Sequence, residues 1–165
     1  MGSVRRKGGV VRVELESAEV VLLASLVGQV RELLTIGASD DPVVARLLPD
    51  AYRDDAEAAA EYRELMDGDL RRQKVGALEQ VLGDLTSNGS PHGDGQRFEL
   101  SDEAVTPWLY ALTDVRLTLG TSLDVTEDWA ADFESLDADS PRRAGLAVYD
   151  WLSWLQTMII EAASR

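Results

Sequence analysis

The sequence predicts a mainly α protein, a bundle of about five or six helices carrying a small two-stranded β ribbon. Three observations predict it. Apolar residues recur at helical spacing over long stretches, as in Val20, Leu23, Val27, Val30 and Leu34. Short segments that alternate as half-buried strands do are found at 10–15 (VVRVEL) and 96–100 (QRFEL). These segments also look alike: VEL at 13–15 matches FEL at 98–100. At the same offset Val20, Val30, Arg31 and Leu34 match Val105, Val115, Arg116 and Leu119. Two strand–helix units of this kind, each strand marginal alone, pair most economically into one ribbon with pseudo-twofold symmetry.

The elements follow in order. Arg5, Arg6 and Lys7, ahead of Gly8 and Gly9, read as a flexible basic arm over 1–8. After the first strand, Ser17 is placed to cap a helix through AEVVLLASLVGQVRELL. DPVVARLL is a short helical turn ending before Pro49. Asp54 or Asp55 then caps a long helix over 56–85, whose early Glu57 and Glu61 suit the positive end of its dipole. The run SNGSPHGDGQ reads as a mobile loop over 86–96. Ser101 caps the next helix, which Pro107 kinks or restarts about a turn in. Thr126 caps a short helix, EDWAADFESL, and Ser140 with Pro141 starts the last one. That helix is apolar round most of its circumference, through Leu146, Val148, Trp151, Leu152, Trp154, Leu155, Met158 and Ile159, which predicts a place at the centre of the bundle. The alternative is a tryptophan-rich partner surface of Trp129, Trp151 and Trp154.

The 165 residues read as a single domain, 1–165. No apolar run reaches membrane-spanning length, and the start lacks the apolar core of a secretory signal, so a cytoplasmic protein with no membrane contact is expected. Cysteine is absent, which removes thiol nucleophiles, cysteine zinc sites and thiol redox switching. With His92 the sole histidine, the usual nucleophile–base pairs cannot be assembled. A non-enzyme is expected, with no metal and no cofactor.

Net charge is −14, and the cations Arg5, Arg6, Lys7 and Arg12 stand in an acid-free opening, so the remaining body is more acidic still. Such a body repels DNA, whose binding needs cations gathered on one face. Direct DNA contact is expected only through residues 5–7, and a basic protein partner suits the body better.

The stretch RLLPDAYRDD sets Asp50, Asp54 and Asp55 around Arg53. Arg116 follows Leu109 and Leu112 at helical spacing, and Arg31 follows Val27, so both guanidiniums spring from apolar faces. A charge held there needs partners. The expectation is a structural charge network joining Arg31, Arg53 and Arg116 to Asp50, Asp54, Asp55 and Asp150. The alternatives are a carboxylate or cation site, and an anion- or metabolite-binding module in which Arg31 and Arg116 converge.

RLLPDAYRDDAEAAAEYREL, LTDVRLTLGTSLDVTEDW and AVYDWLSWLQ, in that order behind the basic RRKGG, resemble an actinobacterial family. It is the AosR-like oxidative-stress transcriptional regulators, formerly a domain of unknown function. The resemblance covers nearly the whole chain. It implies a helical cytoplasmic regulator that influences transcription with a protein partner, such as a sigma factor or another basic protein. It carries no catalytic residues over.

Overall fold

Two β-hairpins open the two halves of the chain, and each hands over directly to a helix. The computed structural model describes residues 1–37, 40–48 and 56–165, with 56–67 as backbone. In the first half β1 (Ser3–Lys7) and β2 (Val10–Glu16) lead into α1 (Ser17–Ile36), followed by α2 (Pro42–Leu47) and α3 (Ala56–Gly83). A π-helical turn, Asp84–Asn88, ends α3. In the second half β3 (Ser90–His92) and β4 (Gly95–Leu100) lead into α4 (Asp102–Ser122), followed by α5 (Trp129–Ser135) and α6 (Pro141–Ala163).

The sheet has four antiparallel strands in the order β1-β2-β4-β3, which corrects the two-stranded ribbon. Its inner pair is the one that alternation predicts: Val11 lies opposite Leu100, and Val13 opposite Phe98. The outer strands come from the segments read as a basic arm and as a loop. Gly8, Gly9 and Gly93 have φ of 62°, 82° and 59°, the left-handed geometry that tight hairpin turns require. Glycines read as a sign of mobility therefore turn the chain back on itself. Charge disguises β1 as well, because Val4 is buried while Arg5 and Lys7 stand exposed on the other face.

The pseudo-twofold pattern runs deeper than two strands. Val13 and Phe98, equivalent in sequence, face each other across the ladder, so a local twofold axis passes between them. On either side Arg12 Nη2 meets Glu99 Oε1 at 2.6 Å and Arg97 Nε meets Glu14 Oε1 at 2.9 Å, one ion pair generated twice. At the same offset Ser17 and Asp102 begin α1 and α4, and Ala56 and Pro141 begin α3 and α6.

Helices cover one face of the sheet, where Val4, Val11, Val13, Leu15, Phe98 and Leu100 meet Val20, Leu23 and Val27 of α1 and Val105, Trp108 and Leu112 of α4 in one core. The central helix is α4 rather than α6, since α4 touches α1, α2, α3 and α6. Trp108 is fully buried there, its ring 5.7 Å from Phe98 and its Nε1 donating to Asp84 Oδ2 at 2.8 Å. By contrast α6 buries one stripe, including Leu152, Leu155 and Ile159, and turns Asp150, Thr157 and Glu161 to solvent. Those exposed polar positions make it an outer helix against α4, β1 and β2.

Local capping follows the sequence closely. Ser101 and Ser140 accept the N–H groups of Ala104 and Arg143 at 3.2 and 3.4 Å. At α1 the cap is Glu16, one residue before the expected Ser17, because Glu16 and Glu19 form a reciprocal capping box. α4 runs through Pro107, near its start, where a missing N–H costs one ladder bond. α5 begins at Trp129, later than expected, with Thr126 supplying only its carbonyl to the Trp129 N–H. Among the described residues no helix is long and apolar enough to cross a membrane.

Candidate functional site

Polar side chains excluded from the core gather along the seam of α4 and α6. Tyr149, Ser153 and Gln156 recur at i, i+4 and i+7, so they share one face of α6. Arg116 of α4 reaches into this row half-buried. Its Nε donates to Ser153 Oγ at 3.0 Å and its Nη1 to Gln156 Oε1 at 2.7 Å. The guanidinium lies over the Tyr149 ring, 5.3 Å from its centroid. Gln156 Nε2 donates in turn to Thr113 Oγ1 at 2.6 Å. Beside these groups opens a cleft of about 290 Å³ lined by Arg46 of α2 with Thr113, Arg116, Leu117, Gly120, Thr121, Val125 and Tyr149.

The predicted charge network rests in part on residues outside those described. Among the described residues Arg116 bonds to no carboxylate; its partners are a hydroxyl and an amide. Asp150 sits one residue past Tyr149, about 100° further round α6, and is exposed. Arg31 is also exposed and pairs with Glu79 Oε1 of α3 at 3.1 Å. It does not line the cleft, so Arg31 and Arg116 do not converge there. Asp50, Arg53, Asp54 and Asp55 lie outside the described residues.

The three tryptophans are half-buried. Trp151 Nε1 donates to Glu19 Oε1 at 3.0 Å, Trp154 packs on the core, and Trp129 meets Tyr149 edge-on at 6.0 Å.

Two buried carboxylates escaped the sequence reading. Asp114 on α4 is 2% exposed and accepts Lys74 Nζ of α3 at 2.7 Å. Burial pushes its carboxyl above the usual aspartate range, and the Lys74 ammonium opposes this without reversing it. An acid among the apolar positions Ala111, Leu112 and Val115 was a legible signal. Glu14 on β2 accepts Ser3 Oγ at 2.7 Å, Arg97 Nε at 2.9 Å and Arg5 Nη2 at 2.8 Å. The Ser3 bond, then Arg97, Arg5 and His92, hold its carboxyl below the usual glutamate range against the pull of burial. Only the strand register reveals that set. Among the described residues no three acidic or histidine side chains gather as a metal site.

Comparison with known proteins places the chain. Residues 1–163 match the family described as "Domain of unknown function (DUF2017)". This chain belongs to the DUF2017 family. It is similar to "Oxidative stress regulator AosR" of Mycobacterium tuberculosis (strain ATCC 25618 / H37Rv), with 32% identity over 133 residues, covering 73% of this chain and 57% of that protein. It is also similar to "Putative oxidative stress regulator AosR" of Mycobacterium leprae, 32% identical over 136 residues, covering 74% of this chain and 58% of that one. The DUF2017 chain thus spans less than two thirds of the length of these curated relatives. No solved structure matches it. The family read from its sequence segments is the family found.

Proposed function

We propose that this DUF2017 chain is a non-enzymatic regulator of the oxidative-stress response. It acts on transcription through contact with a basic cytoplasmic partner, such as a sigma factor. The observation that carries this reading is the match to relatives named as oxidative stress regulators over most of the chain. Charge supports the choice of partner. The body is strongly acidic, and the N-terminal cations are largely engaged within the fold: Arg5 with Glu14, Arg6 with Asp102, Arg12 with Glu99. Phosphate backbones gain little from such a surface, whereas a basic protein gains steered association and specificity. With no cysteine in this chain, an oxidative signal reaches it by a route other than its own thiols.

Tagged protein recovered from its native host, with and without peroxide, tests the reading. A component of the transcription machinery should co-purify, and the association should weaken as salt rises, because exposed charges are screened. Failure to recover any such component under both conditions would sink it. A promoter gel shift that survives competitor DNA would replace it with direct DNA binding.

A further inference from the structure

We propose that the cleft between α2, α4 and α6 binds a small, doubly charged oxyanion, a phosphate ester or a dicarboxylate, through Arg116 and Arg46. This site stands independently of the regulator reading. The first argument is the company that Arg116 keeps. Acids outnumber Lys and Arg by 30 to 16, and Arg5, Arg12, Arg31 and Arg97 each meet a carboxylate. Arg116 is half-buried, yet its described partners are neutral. A hydroxyl and an amide oxygen hold a guanidinium in position without cancelling its charge. Arg143 also lacks a carboxylate, but it is spent on the carbonyls of Phe133 and Leu136 at the end of α5.

The second argument is preorganisation. Nε and Nη1 of Arg116 are tied down, and Nη2 makes no bond among the described residues. The Tyr149 ring fixes the guanidinium plane from one side. A Cβ at position 120 would come within 3.2 Å of Tyr149 Cε2, so the ring lies close against α4 because residue 120 is glycine. A flat guanidinium held through Nε and Nη1 keeps Nη2 for an oxyanion.

The lining defines the ligand. Thr113 and Thr121 donate their hydroxyl protons to the carbonyls of Leu109 and Leu117, so attraction for an anion comes from the guanidiniums. Two of them favour a doubly charged ligand. Leu117 and Val125 add an apolar wall, and about 290 Å³ holds only a small metabolite.

The test uses inorganic phosphate and succinate as probes, each against chloride at matched ionic strength, followed by calorimetric titration and thermal melts. A saturable response to at least one probe is expected; phosphate alone points to a phosphate ester, succinate alone to a dicarboxylate. Arg116→Gln and Arg46→Gln should each weaken it by about tenfold or more, while Arg31→Gln leaves it unchanged. Arg46 is exposed, so Arg46→Gln remains decisive should Arg116→Gln fail to fold. No saturable response beyond chloride, or a response that survives Arg46→Gln, would overturn the site.

Discussion

Behind equivalent hairpins, α1 and α4 bury the same positions: Val20 with Val105, Leu23 with Trp108, Val27 with Leu112, Val30 with Val115. One residue further along, the equivalence ends. Arg31 stands at the surface in an ion pair with Glu79, whereas Arg116 lies half-buried among Tyr149, Ser153 and Gln156. The helix that packs alongside makes the difference, since α3 presents an acid and α6 a row of neutral polar groups. The sheet repeats the lesson. Glu99 pairs with Arg12 in the open, while its counterpart Glu14 is buried under Ser3, Arg5 and Arg97. A repeated framework sets where a residue sits, and the neighbours that are not repeated set what it does.

The largest effect should come from the core. Trp108→Ala should cost about 3–5 kcal/mol and Leu23→Ala about 2–5 kcal/mol in denaturant unfolding, with Trp108 the costlier because α4 touches four other helices. Equal costs would mean that the two halves share the core evenly and that α4 is not its centre.

A smaller gap separates the paired arginines. Arg116→Ala strips Gln156 and Ser153 of a charged donor and should cost about 1–3 kcal/mol. Arg31→Ala removes an exposed ion pair and should cost about 0–1 kcal/mol. If the two variants unfold at the same denaturant concentration, the contrast between their surroundings has no energetic weight.

Smallest are the effects of pH, which should run in opposite directions for the two buried acids. Glu14 has a lowered carboxyl, so its contribution is present above the ordinary value of 4.5 and is lost as pH falls through the folded one. Glu14→Gln should therefore gain on wild type as acid is added below 4.5. Asp114 has a raised carboxyl, so its contribution is present below 3.8 and is lost as pH rises through the folded value. Asp114→Asn should gain on wild type as pH rises from 3.8. Melting temperatures across pH 3–7 would check both, and parallel curves for the two variants would sink the assignment.

What the sequence determined by itself was everything written in short-range periodicity: the helices, the inner strands β2 and β4, and the caps at Ser101 and Ser140. These depend on residues within a turn or two of one another. The outer strands were also within reach, because Gly8, Gly9 and Gly93 carried the turn signal, but the charges of β1 and the polar run of β3 concealed it. Part of the site was legible too. That Arg116 springs from an apolar face follows from its spacing to Leu109 and Leu112, as does the odd position of Asp114. The tertiary structure alone decided what those groups meet. Which face α6 turns toward α4 puts Tyr149, Ser153 and Gln156 before Arg116 and leaves Asp150 in water. A helix rotated by a single residue, about 100°, would have exchanged one for the other, and no local pattern specifies that angle. It emerges when Leu152, Leu155 and Ile159 are driven into the common core, and the polar seam follows from that burial.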